Sequence, residues 1–113
     1  MPATDRLQII RECYGAYESG DRSALDRHLA ENYTFFSPDD VGIDRERYFE
    51  RCWPNHERVA SFELERLVES GDEVFVTYES ERIGGGRFRN TEIHRFDGDN
   101  LARTEVYYGW DLE

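Results

Sequence analysis

Apolar residues recur at helical spacing over the first part of this chain and alternate with polar ones over its second half. A first helix is predicted to start at Thr4 or Asp5, both suitable N-caps. Leu7, Ile10, Tyr14 and Tyr17 form its buried face, flanked by Ile9 and Cys13, and Gly20 ends it. A shorter second helix, headed by Asp21, buries Ala24, Leu25, His28 and Leu29. A strand over 33–37 stops at Pro38, and 39–43 reads as a loop. Asp44 caps a third helix with Tyr48, Phe49, Cys52 and Trp53 on its inner side, and Pro54 stops it. Strands follow over 59–68 and 73–83, joined by Ser70-Gly71-Asp72. After Gly84-Gly85-Gly86, a long hairpin runs from Phe88 to Trp110 around an Asp-Gly turn. Helices first and a meander of strands after predict an α+β fold, with three helices packed on one face of a curved antiparallel sheet.

The closing hairpin admits two registers. A two- or four-residue turn sets Glu92 against Glu105, and like charges directly opposite are destabilising. A three-residue turn over Gly98-Asp99-Asn100 sets Glu92 against Val106, His94 against Thr104 and Asn90 against Tyr108. The second is preferred. It gathers Phe88, Asn90, Glu92, His94 and Phe96 with Thr104, Val106, Tyr108 and Trp110 on the buried face. Arg87, Arg89, Arg95 and Arg103 fall on the other face with Glu105 and Tyr107. A carboxylate on the buried side costs free energy unless it is paired or used, which makes Glu92 the residue to explain.

Length and charge narrow the function. At 113 residues the chain is expected to be one domain, spanning 1–113. A formal charge of −11 argues against a nucleic-acid surface and against an anionic membrane as partner. Seven Phe, seven Tyr and two Trp supply enough contact area to close a core despite 38% hydrophobic content. Cys13 and Cys52 lack metal-ligand spacing and read as buried, reduced thiols. No signal-peptide pattern precedes Asp5 and no apolar run is long enough to span a bilayer, so a cytoplasmic location is expected.

The element order, the Ser19-Gly20-Asp21 turn, Phe36-Ser37-Pro38, the Asn90-Thr91-Glu92 strand and the closing Tyr107-Tyr108-Gly109-Trp110 resemble the nuclear transport factor 2-like superfamily, nearest its SnoaL-like branch. The resemblance covers essentially the whole chain. It implies a cone, with a bent sheet wrapped around a cavity and the helices as the other wall. It also implies a homodimer through the sheet's outer face and a small organic ligand entering the cone's mouth. Ketosteroid isomerase, of this shape, uses a general-base Asp, a helix Tyr and a protonated Asp. By that likeness the base position falls on Ser37, with Asp39 and Asp40 as substitutes if their loop folds inward. The helix tyrosine falls on Cys13, with Tyr14 rotated by about 100° around the helix. The protonated acid falls on Glu92. Polyketide cyclases of the SnoaL type likewise work with a cavity carboxylate.

The expected function is therefore binding of a small, partly apolar organic molecule in the cone. The catalytic version is isomerisation, cyclisation or dehydration of a carbonyl compound, with no cofactor or metal. Glu92 is its acid or base, with a pKa raised by burial; Tyr14, Trp53, Tyr78, Asn90, His94, Tyr108 and Trp110 are the ligand-binding residues. The competing expectation is a non-catalytic binding or dimerisation module, in which Glu92 is a carboxylate bonded to a nearby Tyr, His or Arg.

Overall fold

The computed structural model describes residues 5–112. Three helices, α1 (Arg6–Ser19), α2 (Ser23–His28) and α3 (Arg45–Arg51), accompany six strands. These are β1 (Leu29–Phe36), β2 (Val41–Asp44), β3 (Val59–Ser70), β4 (Glu73–Arg82), β5 (Arg87–Asp97) and β6 (Asn100–Asp111). They form one sheet in the order β2-β1-β6-β5-β4-β3. All neighbours are antiparallel except β1 and β6, which run parallel and bring the N-terminal strand beside the C-terminal one. No helix among the described residues is long and apolar enough to cross a membrane.

Local chemistry explains most element ends. The Asp5 carboxylate accepts from the Gln8 N–H at the start of α1; Thr4, the other expected cap, lies outside the described residues. Gly20 closes α1 at φ 75°, a left-handed conformation that costs glycine little. Asp44 caps α3 through the Arg47 N–H. The predicted loop over 39–43 is in part a strand, because Val41–Asp44 finds an open partner edge on β1. Pro54 does not end the helical path: it enters a 3₁₀ turn, Trp53–Glu57, where its missing N–H is not needed. Leu29, expected on the second helix, begins β1 instead.

Period-2 alternation sends Val74, Val76, Tyr78 and Ser80 of β4 inward, all buried. Ile9, Ile10, Cys13 and Tyr14 of α1 meet them from the helical side of the core. Ile10, Val74 and Val76 are wholly buried, and each such side chain contributes about 1.5–3 kcal/mol. Bulges bend the strands. In β3 a register shift between Leu64 and Arg66 moves the inward positions from Phe62 and Leu64 to Leu67.

The hairpin β5–β6 carries the predicted cross-strand pairs, Glu92 with Val106, His94 with Thr104 and Asn90 with Tyr108. The turn that achieves this differs from the expected one. Asp97 pairs with Asn100 and Phe96 with Leu101, a two-residue turn, and a bulge at Ala102 then adds the missing residue. A second bulge, at Gly109, shifts the strand again, so Trp110 pairs with Arg89. Trp110 is thereby turned away from the inward set in which alternation placed it, and it is 65% exposed. A Cβ at Gly109 would overlap the Arg89 carbonyl oxygen, which is why this bulge takes glycine.

Candidate functional site

Between the inner sheet face and the helices lies a cavity of about 980 Å³. Tyr14 comes from α1, Tyr78 from β4, Asn90, Glu92 and His94 from β5, and Thr104 and Val106 from β6. Tyr33, Phe35, Tyr48 and Phe62 supply much of the remaining wall.

Glu92 is the focus of the polar contacts. The Tyr14 hydroxyl donates to its Oε1 at 2.6 Å and the Tyr78 hydroxyl to its Oε2 at 2.8 Å. His94 Nε2 stands 3.2 Å from Oε1 and 3.0 Å from the Tyr14 oxygen. Because Tyr14 uses its one proton on Glu92, the His94 Nε2 must carry the proton that Tyr14 accepts. Thr104 Oγ1 holds the other ring nitrogen at 2.9 Å. On the far side, Asn90 Nδ2 donates to the Tyr78 oxygen at 3.2 Å, and the Gly109 N–H donates to Asn90 Oδ1 at 3.1 Å. Asn90 thus ties the Gly109 bulge to the phenol that meets Glu92.

Burial alone drives the Glu92 pKa up. The hydrogen bonds and charge of His94, with the hydrogen bonds of Tyr14 and Tyr78, outweigh it, and the carboxyl lies below its ordinary range. The expected upward shift is therefore corrected: a carboxylate that accepts from three donors is held ionised, not protonated. Tyr14 and Tyr78 move the other way, well above the ordinary phenol value, through burial first and the Glu92 charge second. Both remain donors. Such a site presents an acceptor backed by protonated phenols. It is suited to accept a proton or a hydrogen bond, and Glu92 has a proton to return only after taking one.

The mouth is charged. Asp39 and Asp40 both line it, so the 37–40 loop does turn toward the cavity. Asp40 is held by Arg51 Nε at 2.6 Å, and Asp39 accepts from the Tyr108 hydroxyl at 2.8 Å. Arg82 pairs with Asp111 at 3.2 Å and lies over the Phe88 ring. Ser37, at the position of the isomerase base, uses its hydroxyl to accept from the Asp39 and Asp40 N–H groups.

Of the residues singled out in the sequence, the fold brings Tyr14, Tyr78, Asn90, Glu92 and His94 into one connected group. Tyr108 and Trp110 stand at the mouth, with the Arg89 guanidinium 6.0 Å from the Trp110 ring. Trp53 does not line the cavity; it packs on Tyr17 and His56 behind the helix wall. The likeness to the isomerase places the helix tyrosine on Cys13 and rotates Tyr14 away, yet Tyr14 makes the contact. Cys13 also faces the cavity, but burial pushes its thiol up to about 12, as it does that of Cys52, which disfavours the thiolate in both. Arg51 and Arg82 carry no signal in the sequence, since nothing there couples them to Asp40 and Asp111. Three carboxylates, Glu63, Glu65 and Glu79, lie close enough together to share a cation, but on the outer face. Glu79 is already held by Arg87 at 2.7 Å and Arg89 at 2.6 Å.

A family model described as a SnoaL-like domain matches residues 10–104. Among curated proteins, none matches the sequence. The structure is similar to an NTF2-like protein of unknown function from Cytophaga hutchinsonii, with 19% identity, a TM-score of 0.76, and coverage of 96% of this chain and 93% of that one. It is similar to IdmH, a candidate polyketide cyclase from Streptomyces antibioticus, with 18% identity, a TM-score of 0.74, and coverage of 91% of each chain. A de novo designed protein with a curved β-sheet is 12% identical with a TM-score of 0.81, covering 96% of this chain and 88% of that one. At these identities the likeness speaks for the fold alone.

Proposed function

The chain belongs to the SnoaL-like domain family, and from that premise we propose that it binds a small, partly apolar organic molecule in its cavity, with Glu92 as the group that acts on it. The observation that carries the reading is the Glu92 carboxyl, set among aromatic rings and held by Tyr14, Tyr78 and His94. In the catalytic version Glu92 takes a proton from a carbon beside a carbonyl. The C–H electron pair becomes an enolate, and the new carboxylic acid returns the proton at another carbon. That is an isomerisation; if the enolate carbon instead attacks a second carbonyl of the same molecule, the C=O π pair becomes an alkoxide that takes the proton back from Glu92, and the product is a cyclised hydroxyketone.

A second reading is favoured by one feature of the same geometry. The hydroxyl protons of Tyr14 and Tyr78 are both engaged by Glu92, so neither is free to stabilise an enolate oxygen. That suits a module that binds its ligand without turning it over. Glu92→Gln separates the two. If Glu92 is the base, turnover of an enolisable ketone falls by about 10²–10⁴-fold with binding little changed. An unchanged rate removes the catalytic version.

We also propose a homodimer through the outer sheet face. Val68, Phe75 and Ile93 pair across three neighbouring strands on that side, with Arg89, Arg95 and Tyr107 around them. Reversing charge at Arg89 and Arg95 is expected to lower the mass seen by light scattering to that of one chain. An unchanged mass counts against this face.

A further inference from the structure

We propose that the cavity selects a cation: an alkyl- or arylalkylammonium whose head hydrogen-bonds Glu92 while its apolar body lies among the aromatic side chains. This rests on the reading that the cavity binds a small organic molecule.

The direction of the hydrogen bonds carries the argument. From one side the order is Gly109 N–H to Asn90, Asn90 to Tyr78, and Tyr78 to Glu92. From the other, His94 Nε2 reaches Tyr14 and Tyr14 reaches Glu92. Every proton points toward the carboxylate. A carboxylate offers about four acceptor positions. Tyr14 and His94 meet Oε1 and Tyr78 meets Oε2, which leaves one position on Oε2. The groups that meet the carboxylate are two phenols and the His94 imidazole, which offsets the Glu92 charge only when its ring is protonated; no guanidinium or ammonium reaches it among the described residues. The floor of the cavity is thus a buried negative charge with an open acceptor position and few free donors. A carbonyl oxygen at the floor would meet no free phenol proton, as in the non-catalytic reading, and a carboxylate would face Glu92 at low dielectric. A charged N–H would find its strongest kind of partner.

The surroundings agree. Tyr14, Phe62 and Tyr78 pack with centroids 5.0–5.4 Å apart, and Phe88 continues the group 6.4 Å from Tyr78. Ring faces attract ammonium groups. The arginines of the lining belong to the mouth. Arg51 and Arg82 are neutralised there by Asp40 and Asp111, and Arg58 is exposed, with Asn55 as its side-chain partner at 3.4 Å. A net charge of −11 also draws cations to the molecule and repels anions.

The test uses three probes with one ring system: 1-naphthylmethylammonium, 1-naphthylmethanol and 1-naphthoate, titrated calorimetrically near neutral pH. The ammonium is expected to bind about tenfold more tightly than the alcohol, and the naphthoate most weakly. In Glu92→Gln the preference for the ammonium should vanish while the alcohol retains its affinity. Phe62→Leu, which leaves the carboxylate in place, should reduce the preference two- to threefold. Equal binding of the three probes, or a preference for the ammonium that survives Glu92→Gln, overturns the cation assignment and leaves cavity binding standing. If none of the three binds to the folded protein, both fail.

Discussion

The two faces of the sheet around β5 hold carboxylates in opposite ways. On the inner face Glu92 is 14% exposed and is held by two phenols and an imidazole. On the outer face Glu79 of the adjacent β4 is held by two arginines, and Glu105 of β6 by Arg103 and Tyr107. The outer pairs balance charge in contact with water, where the gain per pair is about 0–1 kcal/mol. The inner arrangement leaves the charge in place and satisfies it with protons. A surface ion pair can be replaced by hydration. A buried carboxylate with three donors cannot be removed without stranding the donors, so the inner face is where geometry is fixed most tightly.

Removing the inner carboxylate is the most direct way to break that contrast. Glu92→Leu leaves two phenols and an imidazole without their acceptor and is expected to destabilise by about 3–4 kcal/mol in urea unfolding. A loss below that of an outer-face pair would mean the network relaxes freely. Gly109→Ala tests the point at which β6 passes from one face to the other. Its Cβ meets the Arg89 carbonyl, so the bulge must shift, at about 2–3 kcal/mol, and the Asn90 contact to the Gly109 N–H should weaken with it. Amide exchange at Gly109, faster in the variant, reads this directly.

Tyr14→Phe removes one donor to a charged acceptor and should cost about 1.5–3 kcal/mol. It should also let the Glu92 pKa rise toward its ordinary value. The sign for the native protein follows from the downward shift. The stabilisation from Glu92 is present above its unfolded value of 4.5 and is lost as pH falls through the lower folded value. The stability difference between the native chain and Glu92→Gln should therefore narrow as pH is lowered from about 7 to about 3, and do so at higher pH in the Tyr14→Phe background. A pH-independent difference would contradict an ionised Glu92. Glu79→Gln is the smallest effect, under about 1 kcal/mol and weaker still in high salt.

Much of this arrangement is legible in the order of the residues. Opposing Glu92 to Glu105 is unfavourable, so the pairs Glu92–Val106 and His94–Thr104 follow from charge alone. The route by which the chain reaches them does not, because a bulge at Ala102 and a longer turn give the same register. The Gly109 bulge reverses Trp110 for a reason that alternation cannot anticipate: it requires close approach of another strand's backbone. Cys13 and Tyr14 differ by one residue on α1, too little for family likeness to choose between them, and both line the cavity. Trp53 reads as cavity wall when its helix face is inferred from spacing, whereas the 3₁₀ turn after Cys52 carries it behind Tyr17.

The sequence by itself determined the order of helices and strands, the inward face of the last hairpin and the presence of a carboxylate on it. Those are consequences of period, capping and like-charge repulsion, all of which act between residues near in sequence or directly paired. Only the tertiary structure decided the state of that carboxylate. Tyr14 lies 78 residues from Glu92 in the chain, and the sign of the Glu92 shift depends on whether such distant donors arrive to outweigh burial.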